Sequence, residues 1–192
     1  MTVQTETSAR TFTGRVFIAA SIDGFIARPD GDISWLEEVT PAAEHGPAHS
    51  AEGAITDYDA FMTSVDSLVM GRATYEKVLT FGFWPYPDHR VIVLSSTLST
   101  DDPNVTVVRD LDAALSLLAA AESRGVYVDG GGVIRSFLDR DLIDEITITR
   151  IPVILGSGLP LFAAGIPEAR LEHRGTAVAE NGFVTSSYRV LR

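Results

Sequence analysis

Two glycine-marked turns carry the residues best suited to chemistry, Met70-Gly71-Arg72-Ala73-Thr74 and Asp129-Gly130-Gly131-Gly132-Val133, each directly after a short apolar run. A chain that enters a helix through glycine presents the first backbone N–H groups of that helix, unpaired and at the positive end of its dipole, and the missing Cβ lets an anion approach closely. The triple glycine is not the common G-x-G-x-x-G fingerprint, and no P-loop lysine follows it. Arg72 adds a permanent cation whose planar fork fits a phosphate monoester. A cation at a helix start opposes the dipole, so its placement calls for an anionic partner. Two phosphate-holding turns, one with an arginine, predict NADPH rather than NADH.

Further residues could act near such a ligand. Asp57 and Asp59 are candidate proton donors, and Asp57 is equally well placed to cap a helix over Tyr58 to Val65. Asp23 belongs to an Asp23-Gly24 turn dipeptide, and Gly156-Ser157-Gly158 forms a second turn; both are candidate substrate contacts as well as plain turns. Ser95 and Ser96 offer hydroxyl donors at a strand end, and Trp35 lies on a long polar loop of the kind that closes over ligands. His45 and His49 are four apart, but Gly46 and Pro47 interrupt the helix that would align them, so no metal site is expected.

The elements that must position these residues alternate between strand and helix. Arg15 to Ala20, Ser67 to Met70, Arg90 to Leu94, Val105 to Val108 and Val126 to Val128 read as strands. Helices are expected over Ala51 to Val65, Ala73 to Leu79, Leu111 to Ser123 with Asp110 as N-cap and Gly125 as the stop, and Val133 to Arg140. From Glu145 onwards the pattern turns to strand, with Ile146-Thr147-Ile148-Thr149 and Phe183 to Leu191 alternating as an antiparallel, hairpin-like pair.

The chain has 192 residues, 45% of them apolar, enough for one substantial core. One domain over residues 14–192 is expected, after a disordered segment, residues 1–13. With no cysteine, disulfides, thiolate metal sites and thiol catalysis are excluded. The net charge of -11 argues against nucleic acid or an anionic membrane as partner. Neither a signal peptide nor a membrane-spanning apolar run is evident, so a cytoplasmic location is expected.

Taken in order, Ala19-Ala20-Ser21-Ile22-Asp23-Gly24, Met70-Gly71-Arg72-Ala73-Thr74-Tyr75-Glu76, Leu94-Ser95-Ser96, Asp129-Gly130-Gly131-Gly132, and Ile151-Pro152-Val153-Ile154-Leu155-Gly156-Ser157-Gly158 with Leu161-Phe162 resemble the dihydrofolate reductase superfamily. Within it, the chain looks most like the reductase domain of the bifunctional riboflavin-biosynthesis deaminase-reductase and its standalone relatives. The resemblance implies an α/β three-layer fold around a central, mostly parallel sheet of about eight strands with an antiparallel C-terminal pair. NADPH would lie across the carboxyl edge of that sheet. Gly71, Arg72 and Thr74 would then hold the 2'-phosphate side and the pyrophosphate, and Leu94, Ser95 and Ser96 would flank the adenine ribose. Gly130, Gly131 and Gly132 would cradle the pyrophosphate, with Val133 and Ile134 beside it and a cis peptide expected at Gly130-Gly131. The nicotinamide would lie near Ala20 and Ile26.

That reading makes the protein an NADPH-dependent reductase of a small pyrimidine- or pterin-like carbonyl or imine compound, most like 5-amino-6-(5-phosphoribosylamino)uracil reductase. Dihydrofolate reductases carry a carboxylate at a position that falls here near Ile55, which cannot donate a proton. A weak dihydrofolate reductase and a non-catalytic NADPH-binding or sensing module are therefore the competing readings, beside a purely structural interaction domain. A substrate phosphate would need a second basic site, for which Arg28 and Arg150 are available. A homodimer is expected, because the C-terminal strands offer an edge that needs covering.

Overall fold

The computed structural model describes residues 10–38, 49–50 and 56–192. At its centre is a sheet built from β1 (Thr13–Ser21), β3 (His49–Ser50), β4 (Ser67–Gly71), β5 (Arg90–Leu94), β6 (Val105–Val108), β7 (Gly125–Asp129), β8 (Glu145–Ile151), β10 (Arg170–Val178) and β11 (Val184–Leu191). These nine strands lie in the order β3-β10-β11-β8-β1-β7-β4-β5-β6. From β8 through β1, β7, β4 and β5 to β6 every pairing is parallel, whereas β11 runs antiparallel to β8, and β10 to β11 and β3. The expected three-layer α/β architecture is therefore present, with β3 a two-residue addition at the antiparallel edge.

Period-two alternation in the parallel strands sends successive side chains to opposite faces and builds two cores. Val16, Val69, Ile92, Val126 and Val128 face α4 (Leu111–Ala120) and α5 (Gly131–Leu138), packing with Leu118, Ile134 and Phe137. Phe17, Leu68, Met70, Val91, Val93 and Tyr127 face the other way, towards Phe61 of α2 (Tyr58–Thr63) and Tyr75 and Val78 of α3 (Arg72–Leu79). Strands covered on both faces read as continuous apolar runs, as these do.

Several boundaries differ from the sequence reading, each for a local reason. The helix expected from Ala51 is seen only over Tyr58–Thr63, capped by Asp57, and residues 51–55 lie outside the described residues. Helix α4 ends at Ala120, because Glu122 turns the chain at φ +53, and Gly125 opens β7 instead of stopping the helix. Helix α5 begins two residues early, at Gly131. The C-terminal strands are not a simple hairpin pair: β11 is bracketed by β8 and by β10, a strand whose charged run Arg170-Leu171-Glu172-His173-Arg174 hid its alternation.

The long polar loop after β1 also has structure of its own. It contains β2 (Phe25–Ala27), paired with β9 (Leu159–Pro160) in a separate two-stranded ribbon, and the short helix α1 (Trp35–Glu38). No helix among the described residues is long and apolar enough to cross a membrane.

Candidate functional site

Parallel strands all end at the same edge, and the two glycine turns singled out from sequence lie there. Strand β4 lies between β5 and β7, with Met70 beside Val93 and Asp129, so the Gly71 and Gly130 turns are neighbours. A Cβ on Gly130 would collide with Thr74 Oγ1, and one on Gly71 would stand 3.5 Å from Val133 Cγ2. Gly130 makes its turn in the left-handed region, at φ +85, which side-chain-bearing residues seldom adopt. The cis peptide expected at Gly130-Gly131 is not found: no described peptide bond is cis, and the left-handed Gly130 turns the chain instead.

The two helices that leave these turns start without a side-chain cap, whereas Asp57 and Asp110 cap α2 and α4 through Ala60 N–H and Ala113 N–H at 2.8 Å. Polar helix starts left open are ready for an anion. Around Gly132 a Cβ would meet nothing within 4 Å, while on Gly131 it would sit 3.3 Å from the Pro160 carbonyl oxygen and 3.4 Å from Ile26 Cδ1. The turn is thus open on one side and walled by the β2–β9 ribbon on the other. An open glycine cradle beside a second uncapped helix fits a dinucleotide pyrophosphate.

Two cations stand at the same edge. Arg72 is half exposed, donates to Thr97 Oγ1 at 3.2 Å and pairs with Glu76 at 3.4 Å. Arg109, not singled out from sequence, reaches the same turn from the far side, donating to the Ser95 and Leu98 carbonyl oxygens at 3.3 and 3.1 Å. The Ser95 hydroxyl accepts from the Thr97 and Leu98 N–H groups and so shapes that turn, while Ser96 is exposed. Two guanidinium groups therefore bracket the turn that follows β5 at Leu94.

Several of the predicted contacts also support the fold. Val133 and Ile134 are buried in the core and give their N–H groups to the Gly130 carbonyl oxygen. Ala20 is buried, and Ile26 packs against the same core. Asp23 accepts from Ser21 Oγ at 2.6 Å, Leu155 N–H at 3.1 Å and Gly156 N–H at 2.7 Å, tying the end of β1 to the Gly156 turn. Those bonds, the Ser21 hydroxyl first, hold the Asp23 carboxyl below its usual pKa. Gly156 stands at φ +75 and Ser157 is exposed. Trp35 is buried at 1% exposure, and its indole Nε1 has no acceptor among the described residues.

The proton-donor candidates are rearranged. Asp57 spends its carboxylate on the α2 cap, and Asp59 is exposed in the first turn of that helix. The carboxyl group at the strand edge is that of Asp129, which alternation places on the same face as Tyr127, towards α2 and α3. It accepts from Gly130 N–H at 2.8 Å, and desolvation pushes its pKa up to about 6. Its charge reaches three phenols. Burial and then Asp129 push Tyr58 up to about 12 and raise Tyr86 and Tyr127 as well. The Tyr127 hydroxyl is committed to the Phe17 carbonyl oxygen at 2.8 Å. An acidic residue ending an otherwise apolar strand was the available sequence signal for Asp129; nothing local marked Tyr86.

Of the basic residues considered for a substrate anion, Arg28 is engaged by Asp32 at 3.2 Å and Glu38 at 3.7 Å, and Arg150 is exposed on β8. His45 lies outside the described residues, and those described hold no group of three or more His, Cys, Asp or Glu side chains arranged for a metal.

Comparison with known proteins places the fold and the family. The model of the RibD C-terminal domain matches residues 13–185. The uncharacterized protein YwjB of Bacillus subtilis is 37% identical over 166 residues, covering 84% of this chain and 88% of its own. A solved structure from a Shewanella species, provisionally described as a riboflavin biosynthesis protein, superposes with a TM-score of 0.79 at 35% identity, over 94% of this chain and all of that one. Dihydrofolate reductase of Enterococcus faecalis, solved with NADP(H), shares the fold at a TM-score of 0.63 and 20% identity, over 95% and 98% of the two chains. With that family model matched over residues 13–185, the chain belongs to the RibD C-terminal domain family.

Proposed function

We propose that the protein is an NADPH-dependent reductase that transfers hydride to a small pyrimidine- or pterin-like carbonyl or imine compound, most like 5-amino-6-(5-phosphoribosylamino)uracil reductase. The observation that carries this reading is the pair of uncapped helix starts at Gly71 and Gly130, side by side at the carboxyl edge and flanked by Arg72 and Arg109. Gly130, Gly131 and Gly132 would hold the pyrophosphate, Arg72, Arg109 and Ser96 the 2'-phosphate, and Ile26 and Ala20 the nicotinamide side. When bound, the cofactor supplies the hydride.

Reduction of a carbonyl or imine also consumes a proton, and Asp129 supports that step in this reading better than Asp57 or Asp59. A carboxyl with a pKa of about 6, desolvated at the strand edge, keeps a usable protonated fraction near neutral pH. The loop after β1, pinned by Asp23 and packed on the glycine turn by β2, would exclude water from the reacting atoms. Asp129 also favours the enzyme over the sensing module, since a site that only binds nucleotide has no use for a raised carboxyl. A screen of carbonyl and imine heterocycles for NADPH oxidation tests the reading. Turnover that falls about a hundredfold in Asp129→Asn with NADPH affinity retained is expected; unchanged turnover in that variant would remove Asp129 from the chemistry.

A further inference from the structure

Two donors on one face of α3 hold the segment that joins β5 to β6. Arg72 and Tyr75 stand three apart, close to one helical turn, and so lie on the same side of the helix. Arg72 donates to Thr97 Oγ1 at 3.2 Å, and the Tyr75 hydroxyl donates to Asp102 Oδ2 at 2.8 Å. Residues 95–104 are thus gripped near both of their ends. The Tyr75 ring is fixed, being buried at 3% exposure in a cluster with Val78, Val91 and Val93, against which Leu98 and Val105 also pack. Asp102 is an equally fixed acceptor. Its Oδ1 takes the Asn104 backbone N–H at 2.9 Å and the Asn104 Nδ2 at 2.8 Å, while its own N–H donates to Thr100 Oγ1 at 3.2 Å. The bonds to its carboxylate, the Asn104 N–H first, hold its pKa below the usual value, so it stays an ionised acceptor.

Resting on the cofactor reading above, we infer that Tyr75 and Asp102 are positioning residues for the 2'-phosphate of NADPH: their hydrogen bond fixes the segment against which Arg72 and Arg109 are set, and so governs the preference for NADPH over NADH. Neither residue would touch the phosphate. The two guanidinium groups that would hold it sit on long, rotatable side chains, and each takes its bearing from this segment. For Arg72 the mark is Thr97 Oγ1, and for Arg109 it is the carbonyl oxygens of Ser95 and Leu98 at 3.3 and 3.1 Å. A phosphate monoester is bound most tightly by two such forks when their separation is set beforehand. A bound phosphate would also compete for Arg72, whose present partners, Thr97 at 3.2 Å and Glu76 at 3.4 Å, are loosely held. The Tyr75 to Asp102 bond involves neither guanidinium, is charge-assisted, and would remain. The cradle at Gly130, Gly131 and Gly132 stands on another strand and helix, so the rest of the dinucleotide should not depend on this strut.

Binding alone reads this preference. Affinities of the parent, Tyr75→Phe and Asp102→Asn for NADPH, NADH, 2',5'-ADP and 5'-AMP are measured by calorimetry, and amide hydrogen exchange of residues 95–104 is followed without nucleotide. Tyr75→Phe removes one hydroxyl and leaves the ring in its cluster, and Asp102→Asn breaks the same bond from the other side. In both variants the affinities for NADPH and 2',5'-ADP are expected to fall about tenfold, the worth of one charge-assisted hydrogen bond, while those for NADH and 5'-AMP change by less than about threefold. Exchange in residues 95–104 should rise about tenfold, with that of β7 unchanged. Loss of all four affinities together, the mark of a merely structural role, overturns the inference, and so does an NADPH preference that survives both substitutions; either leaves the cofactor reading standing. Unchanged exchange in Tyr75→Phe overturns it as well. A parent that binds NADPH and NADH alike, or neither, would sink the cofactor reading and the inference with it.

Discussion

At the scale of single residues, Asp129 is where stability and function pull against each other. Its folded pKa is raised from 3.8 to about 6 by burial, so the folded state binds the proton more tightly than the unfolded chain does. The stability this gives is fully present below the unfolded value and is lost as pH rises through about 6; above that the partly buried carboxylate costs up to about 3 kcal/mol. Asp129→Asn is therefore expected to raise the unfolding free energy at pH 7.5 by a sizeable part of that, and to have little effect at pH 4, measured by urea denaturation. The same titration sets the activity profile: turnover should be flat below about pH 6 and fall about tenfold per unit above it. Equal stability of the two proteins at both pH values would show that the carboxyl is not desolvated. The sequence could not reveal any of this, because the burial of a strand-end carboxyl depends on how separate elements pack around it.

At the scale of elements, the glycine turns make opposite predictions at adjacent positions. Gly132 lies in the first turn of α5 with open space where a Cβ would go, so Gly132→Ala should leave the fold intact and stabilise it by about 0.5–1 kcal/mol through helix propensity. The same methyl group would occupy the cradle and weaken NADPH binding about tenfold or more, read by fluorescence titration. Gly130→Ala faces φ +85 and the Thr74 hydroxyl, and should destabilise by about 1–3 kcal/mol, read by thermal denaturation. If Gly132→Ala binds NADPH as the parent does, the cradle has been placed wrongly. These turns were legible in the sequence because three consecutive glycines after an apolar run carry a conformational entropy cost that an ordinary strand-to-helix turn does not require. The β2–β9 ribbon that walls them was not, since its strands have three and two residues and pair across more than a hundred positions of chain.

At the scale of the whole molecule, alternation of strand and helix disclosed the parallel half of the sheet almost residue for residue, with β5 and β6 at their predicted bounds. The antiparallel half was less legible because partly exposed strands such as β10 carry charge on residues that a buried strand would keep apolar. The collinear motifs carried the fold class, and the family match over residues 13–185 bears it out. What those motifs did not reveal was which carboxyl stands at the sheet edge, since the position read as the donor fell at Ile55 and its neighbours Asp57 and Asp59 serve the start of α2 or lie in solvent. The central claim is that this sheet edge holds a dinucleotide with an extra phosphate. Parallel titration with NADPH and NADH, following quenching of Trp35 and Trp84 in the parent and in Arg72→Ala, tests it most directly. Tight NADPH binding, weaker NADH binding and a loss of that preference in Arg72→Ala are predicted; equal affinity for the two nucleotides, or no binding of either, would contradict it.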